Sequence, residues 1–131
     1  MLFYSQTHGD ITDDEGEVVS SGWYAGGNMG TVPQAVNNPI YQYVPNVGPL
    51  PQGVYTMSPL HTVLRIGQCI ALTPDNPAAM RGRAGMLLHC NDASRAPQSS
   101  SEGCGIAPTL ADLVKIEAFR AAGQTQLQVT A

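Results

Sequence analysis

Alternation of apolar and polar residues over short runs predicts that this chain is built mainly from β-strands. In residues 2–7 the alternation places Leu2, Tyr4 and Gln6 on one face, because successive side chains along a strand point to opposite faces. Runs of similar character, bounded by Gly, Pro, Asn or Asp, predict further strands at residues 17–26, 53–57, 61–74, 85–90 and 125–130. The Asp- and Gly-rich residues 10–17 lie between the first two strands and predict the turn of a β-hairpin.

A long segment without this alternation separates the second predicted strand from the third. Residues 26–53 contain five prolines and many Asn and Gly residues, which predicts an irregular excursion. Apolar side chains are interleaved along it, among them Tyr41, Val44 and Leu50. We therefore expect the excursion to be ordered and to pack onto the rest of the chain.

One segment near the C-terminus has a helical period. Residues 108–124 are predicted as a helix, with Thr109 as N-cap, Asp112 in a capping-box position and Gly123 at the stop. Its predicted buried face consists of Leu110, Leu113, Val114 and Ala118. The whole pattern predicts a mainly β fold, a sandwich or half-barrel, with this one short helix near the C-terminus.

Length and charge restrict the classes of function. A chain of 131 residues predicts one domain, residues 1–131. The net charge is −4 and the six basic residues are scattered, so no nucleic-acid partner is expected. The sequence contains no run of about 18 apolar residues, so membrane insertion is not expected. Residues 1–10 lack the basic and apolar regions of a signal peptide.

Candidate chemistry is concentrated around one cysteine in a polar, turn-forming run. Cys104 lies within SSSEGCGIAP, residues 99–108, whereas cysteine is usually a buried, small apolar residue. The thiolate is its reactive form, and a nearby imidazole can accept the thiol proton. His89 lies 15 positions earlier, at the end of a predicted strand, and is the candidate base.

Residues just before Cys104 complete this candidate catalytic site. Gly103 permits an unusual backbone angle or a close approach of substrate. The backbone N–H groups of Gly103 and Cys104 are candidates for an oxyanion hole. Ser101 is placed to hydrogen-bond within the turn and to fix the loop.

Other interpretations of these residues stay open. His89, after three apolar residues, is also consistent with a structural core histidine. A zinc site from His89, Cys90, Asp92 and Cys104 is disfavoured, because adjacent strand residues point to opposite faces and no CxxC or HxxxH spacing occurs. No metal or other cofactor is therefore expected. Geometry alone decides whether Cys69 and Cys90 form a disulfide.

The segment HCNDASRAPQSSSEGCGI, residues 89–106, resembles the active-site segment of L,D-transpeptidase-like catalytic domains. In that family a histidine precedes a Ser/Thr–x–Gly–Cys turn, which His89 and residues 101–104 match. A smaller branch of the family comprises peptidoglycan-targeting effectors of bacterial type VI secretion systems. Residues 22–30, 37–57 and 80–92 resemble, in this order, further sequence segments of that branch. The resemblance covers nearly the whole chain and implies an L,D-transpeptidase-like fold.

The resemblance also implies a reaction. Cys104 would attack the carbonyl of the diamino acid in a peptidoglycan stem tetrapeptide, and the terminal D-alanine would leave. His89 would act as general base and then as general acid, oriented by a carbonyl in the Ser99–Ser101 segment. Water as acceptor gives L,D-carboxypeptidase activity, and another D-amino acid gives L,D-transpeptidase exchange.

Substrate-binding residues follow from the same resemblance. Tyr24, Asn28 and Tyr43 are expected to line a groove for an uncharged, sugar-bearing peptide. Arg81 and Arg83 are expected to meet a stem carboxylate. The alternative is that the aromatic residues pack the excursion onto the sheet and that both arginines are solvated.

Delivery and partners are implied as well. Such a toxin needs no leader of its own, because a secretion-system carrier delivers it to the periplasm of a recipient bacterium. A cognate immunity protein would block the Cys104 groove in the producer. Alternatives are a phage- or prophage-type cysteine peptidase of wall cross-bridges, a wall-binding module with a degenerate site, and a structural fragment of a larger secretion protein. Cys90 and Gly105 depart from the family's usual pattern; these changes leave Cys104 and His89 in place, and under the hypothesis of a degenerate module they mark lost activity.

Overall fold

A computed structural model of the chain describes residues 1–90 and 103–131. Within these ranges the protein is mainly β, with one α-helix near the C-terminus, as predicted. The helix, α1, runs over Leu110–Ala121. The strands are β1 (Leu2–Ser5), β2 (Ile11–Thr12), β3 (Val18–Ser20), β4 (Gly53–Met57), β5 (His61–Val63), β6 (Gly67–Pro74), β7 (Leu87–Cys90), β8 (Gly105–Ala107) and β9 (Gln126–Thr130).

The described strands belong to one mixed sheet. Their order is β3-β2-β1-β9-β4-β6-β7-β8, and β5 pairs with β6 beyond this path. Two neighbouring pairs, β1–β9 and β7–β8, are parallel, and the others are antiparallel. The sheet does not close into a barrel within the described ranges. The predicted mainly β class is therefore confirmed in the form of a single open sheet.

The core contains buried side chains from the sheet, from α1 and from the irregular segments between strands. The predicted face of the first strand is confirmed, because Leu2, Tyr4 and Gln6 are fully buried. Helix α1 packs against β7 and β8. Burial of apolar side chains on both sides of this contact fixes the position of the two strands. The largest fully buried side chains include Trp23, Tyr55, Leu50, Ile70, Leu88, Leu113 and Ile116.

The N-terminal hairpin prediction was wrong in detail. The predicted turn contains a strand, β2, because Ile11 is apolar and fully buried beside β1. The turn itself is shorter, and the Asp13 carboxylate closes it by accepting hydrogen bonds from the backbone N–H groups of Glu15 and Glu17. The returning strand ends at Ser20. The start of the chain is thus a three-stranded meander.

The excursion over residues 26–53 is irregular, as predicted. It holds two short 3₁₀ helices, Pro33–Ala35 and Pro39–Tyr41, each beginning at a proline, which lacks the N–H that a helix start leaves unused. The prediction that it packs onto the chain is confirmed, since Leu50 is fully buried. The buried Gln6 side chain donates to the Leu50 carbonyl at 2.8 Å and ties the excursion to β1.

Helix α1 begins and ends as predicted but buries a different face. The Thr109 hydroxyl accepts from the backbone N–H of Asp112 at 3.2 Å, and Gly123 follows the helix with a φ of 110°. The buried residues are Leu113 and Ile116. The other three residues of the predicted face, Leu110, Val114 and Ala118, are exposed. Two apolar stripes overlap on this helix, and only contact with β7 and β8 selects between them.

No helix in the described ranges is long and apolar enough to cross a membrane.

Candidate active site

The sheet places the two candidate catalytic residues on neighbouring parallel strands. His89 lies in β7, opposite Ile106 of β8, and Leu88 lies opposite Gly105. Side chains alternate between the faces of a sheet, so His89 and Ile106 share one face. Cys104 lies in a bend one residue before β8, so its backbone is next to the strand that carries His89.

The His89 ring is oriented by a backbone carbonyl. Its Nδ1 atom lies 3.0 Å from the Cys90 carbonyl oxygen, and since a carbonyl only accepts, Nδ1 carries the proton. Nε2 is then left with a lone pair. Burial lowers the pKa of His89, and the hydrogen bond to Cys90 acts in the opposite direction. The ring is therefore neutral at pH 7 and able to accept a proton at Nε2. The carbonyl predicted in Ser99–Ser101 lies outside the described residues.

A small pocket opens beside Cys104. Its volume is about 110 Å³. Its lining contains Cys104 and Gly103 from the turn, Asn46 from the excursion, and the segment from Arg83 to Met86 that leads into β7. The pocket therefore joins three parts of the chain that are distant in sequence.

Among the described residues that line this pocket, Arg83 is the charged one, and it is only 9% exposed. Its Nη1 donates to the carbonyl oxygens of Gln42 and Pro49 at 2.7 and 2.5 Å. Its Nη2 occupies the space that a Cβ on Gly103 would need. The close approach of the guanidinium therefore favours glycine at position 103, a reason that the sequence did not suggest.

The remaining cysteines are not joined. Cys69 is buried and Cys90 half-buried, and both are unoxidised thiols whose pKa burial raises. Cys69 pairs across the sheet with His89 on one side and His61 on the other, and its Sγ lies 3.6 Å from His61 Nε2. Among the described residues no group of three or more His, Cys, Asp or Glu side chains is arranged to hold a metal ion. Asp92, one of the zinc ligands considered, lies outside those residues.

Four of the predicted substrate-binding residues do not line the pocket. Tyr24 is 5% exposed, and its backbone bridges to Ile106 with hydrogen bonds of 2.7 and 3.2 Å, so it extends the sheet beside β8. Asn28 is half-buried and has a φ of 48°. The Arg81 guanidinium lies 4.2 Å from the centre of the Tyr43 ring, a cation–π contact on the surface of the excursion.

Of the predicted set, Cys104, Gly103 and Arg83 are brought together, with His89 on the adjacent strand. Ser101 lies outside the described residues. Asn46 was missed by the sequence argument. It has a φ of 61° in the tight turn between Val44 and Gly48, and an Asn in a Pro- and Gly-flanked turn was the signal for its backbone but not for its place beside Cys104.

Comparisons of the chain with known protein families, with curated proteins and with solved structures find no match. The chemistry of the site therefore has to be inferred from its own geometry.

Proposed function

We propose that this protein is a cysteine-dependent peptidoglycan enzyme with L,D-carboxypeptidase and L,D-transpeptidase activity on stem tetrapeptides. One observation carries the proposal: the Cys104 thiol lines a pocket immediately before β8, and β8 pairs with the strand that carries the oriented, neutral imidazole of His89. A nucleophile, a base and a group that orients the base are the parts that acyl transfer through cysteine needs. The L,D-transpeptidase-like fold remains part of this proposal.

In the proposed reaction the Cys104 thiol proton passes to His89 Nε2. The sulfur attacks the carbonyl carbon of the diamino acid and forms a tetrahedral intermediate, whose oxyanion is stabilised by backbone N–H groups at Gly103 and Cys104. The amide bond to the terminal D-alanine then breaks, and protonated His89 gives its proton to the leaving amine. The products are D-alanine and a thioester on Cys104.

Two acceptors resolve the thioester. His89 removes a proton from water or from the amine of a D-amino acid, which attacks the carbonyl carbon while the Cys104 sulfur leaves. Water yields a tripeptide, and a D-amino acid yields an exchanged tetrapeptide. Either product removes a tetrapeptide donor that cross-linking needs and weakens the wall.

The proposal extends to biological context through the family resemblance. The protein would be an antibacterial toxin that a type VI secretion carrier delivers into a recipient's periplasm, with an immunity protein in the producer. Expression of the intact protein behind a periplasmic leader should then arrest growth, and expression without a leader should not. The Cys104→Ala protein with the same leader is the control, and equal growth with both would argue against a toxin.

The direct test uses purified disaccharide tetrapeptide and mass spectrometry. We expect the intact protein to release one D-alanine, and Cys104→Ala and His89→Ala to release none. Cys90→Ala is the matched control, since that thiol is half-buried on the neighbouring strand and should be dispensable. Added D-methionine should appear in the product if exchange occurs.

The alternatives predict other products. A cysteine peptidase of cross-bridges would cleave cross-linked dimers and leave the tetrapeptide intact. A binding module with a degenerate site would retain intact sacculi in a pull-down and change neither substrate. Either result, with the folded protein, would overturn the proposed activity.

A further inference from the structure

The guanidinium of Arg83 lies against the turn that carries the proposed nucleophile. Its Nη2 fills the position that a side chain on Gly103 would take, and Arg83 and Cys104 line the same pocket. Arg83 is therefore a cation close to the turn that carries the thiol, whereas His89 lies on the neighbouring strand.

Backbone carbonyls hold this cation in place, and they carry no formal charge. The carbonyl oxygens of Gln42 and Pro49 both accept from Nη1, which fixes the plane of the guanidinium and leaves Nη2 directed at the Gly103 turn. Because Arg83 is buried, its charge acts on its neighbours with little screening by water.

Among the residues that the structure describes, two titratable groups act on the Arg83 charge, and only one of these two forms an anion near neutral pH. Burial lowers the pKa of Arg83, while the charges of Tyr55 and Cys104 raise it. Burial raises the pKa of Tyr55 far above its ordinary value, and its hydroxyl donates to the Pro51 carbonyl at 2.6 Å, so Tyr55 stays neutral. Of these two groups, Cys104 is the one whose anion Arg83 can stabilise.

His89 alone is a weak acceptor for the thiol proton. The ordinary pKa of a cysteine is about 8.5 and that of a histidine about 6.5, and burial lowers the pKa of His89 further. A second group that stabilises the thiolate would reduce this mismatch, as a nearby cation does for other reactive cysteines.

We propose that Arg83 is a positioning residue of the active site, whose buried guanidinium stabilises the thiolate of Cys104 and so allows His89 to take the thiol proton. The inference rests on the proposed role of Cys104 as nucleophile, and it assigns Arg83 to the thiol rather than to a substrate carboxylate. The proton released by Cys104 remains on His89 Nε2, from which the leaving amine receives it.

The test reads the thiol directly. Iodoacetamide alkylation of the intact protein is followed against pH, with peptide mass spectrometry to separate Cys104 from Cys69 and Cys90. We expect the Cys104 midpoint in the wild-type protein to lie below the ordinary value of about 8.5. A midpoint at or above that value would overturn the proposal without any variant.

Three variants assign the effect to Arg83. Arg83→Gln should raise the midpoint by about one pH unit and slow alkylation at pH 6.5 roughly tenfold. The midpoint of Arg83→Lys should lie between those of the wild type and Arg83→Gln, because lysine keeps the positive charge but lacks the planar guanidinium. Arg81→Gln is the matched control, since Arg81 lies two residues away, is exposed and stacks on Tyr43, and its midpoint should equal that of the wild type.

Other outcomes have distinct meanings. A folded Arg83→Gln protein with the wild-type alkylation profile would overturn the proposal, and if its KM for tetrapeptide were raised, Arg83 would bind substrate instead. If Arg83→Gln does not fold, the alkylation midpoints of the wild type and of Arg83→Lys test the proposal: a wild-type midpoint at or above about 8.5, or an Arg83→Lys midpoint equal to that of the wild type, would overturn it. A lowered, Arg83-dependent midpoint in a protein that leaves muropeptides unchanged would overturn the proposed reaction but not the role of Arg83.

Discussion

At the scale of single residues, Gly103 and Arg83 form the most specific contact of the candidate site. The guanidinium occupies the Cβ position of Gly103, and the Gly48 carbonyl lies 3.2 Å from the same position. Any side chain at position 103 must displace one of these groups. The contact with the Arg83 guanidinium therefore explains the glycine at position 103 as much as the backbone conformation of the turn does.

A double-mutant cycle tests this contact. Gly103→Ala should lower the free energy of unfolding by about 1–3 kcal/mol, as overpacking does. In an Arg83→Ala background the same change should lower it less, because the guanidinium no longer occupies the Cβ position, with a coupling of about 0.5–3 kcal/mol. Gly16→Ala is the control: its φ of 80° strains any side chain, but no atom lies within 4 Å of its Cβ position, so its cost should be the same in both backgrounds. Additivity at Gly103 in urea unfolding would refute the contact.

His89 gives a pH dependence with a defined sign. Burial holds its pKa in the folded protein below the ordinary 6.5, so below that pH the unfolded chain takes up a proton first. The stability that neutral His89 contributes is complete above pH 6.5 and is lost as the pH falls towards the lower folded value. His89→Gln should thus weaken the decline in unfolding free energy between pH 7 and 5. His8→Gln, an exposed histidine, should keep the wild-type decline.

At the scale of elements, α1 holds the two strands of the site together. It packs against both β7 and β8, and its start is connected to the rest of the sheet. The Asp112 carboxylate accepts from the Thr109 hydroxyl at 2.5 Å and from the Ser20 hydroxyl at 2.7 Å, and the Ser20 oxygen accepts from the Trp23 indole at 2.7 Å. The helix cap therefore also anchors the end of β3.

The N-cap of α1 at Thr109 should contribute a measurable amount to the free energy of unfolding. Thr109→Ala should lower the free energy of unfolding by about 1 kcal/mol, because the Asp112 N–H loses its partner. Thr109→Ser keeps the hydroxyl and should retain most of that stability. Chemical denaturation of the three proteins measures the difference, and an equal loss in both variants would show that the methyl group matters more than the hydrogen bond.

At the scale of the whole molecule, the two ends of the chain meet inside the sheet. β9 lies between β1 and β4, parallel to one and antiparallel to the other. Its inward residues Leu127 and Val129 are buried. Since the last strand separates the N-terminal meander from the strands that carry the site, both halves depend on it.

The central position of β9 predicts one cooperative transition. Leu127→Ala should lower the free energy of unfolding by about 2–5 kcal/mol, the usual loss for a truncated core leucine. Gln128→Ala should change the free energy of unfolding far less, because the Gln128 side chain points to the opposite face of the sheet and is only half-buried. Far-ultraviolet circular dichroism and fluorescence of Trp23, the single tryptophan, should give coincident midpoints. Separate midpoints would mean that the meander unfolds independently.

The fold class and the candidate nucleophile could be predicted from the sequence because both depend on local features. Alternation over a few residues determined most strands, prolines determined the irregular excursion, and Thr109 determined the start of α1. The glycine-flanked Cys104 and the preceding His89 were recognisable as candidates for the same reason. The strand in the predicted turn escaped this argument, since Ile11 forms a strand only because β1 lies beside it.

Only the tertiary structure decided which distant residues meet. Parallel pairing of β7 with β8 set the relation between His89 and Cys104, and packing on those strands chose Leu113 and Ile116 over the neighbouring apolar stripe. The excursion packs back onto the sheet and so places the carbonyl groups of Gln42 and Pro49 where they accept hydrogen bonds from Arg83. Periodicity and backbone preference act over a few residues, whereas strand register, burial and the placement of a charge depend on which segments return to the same place.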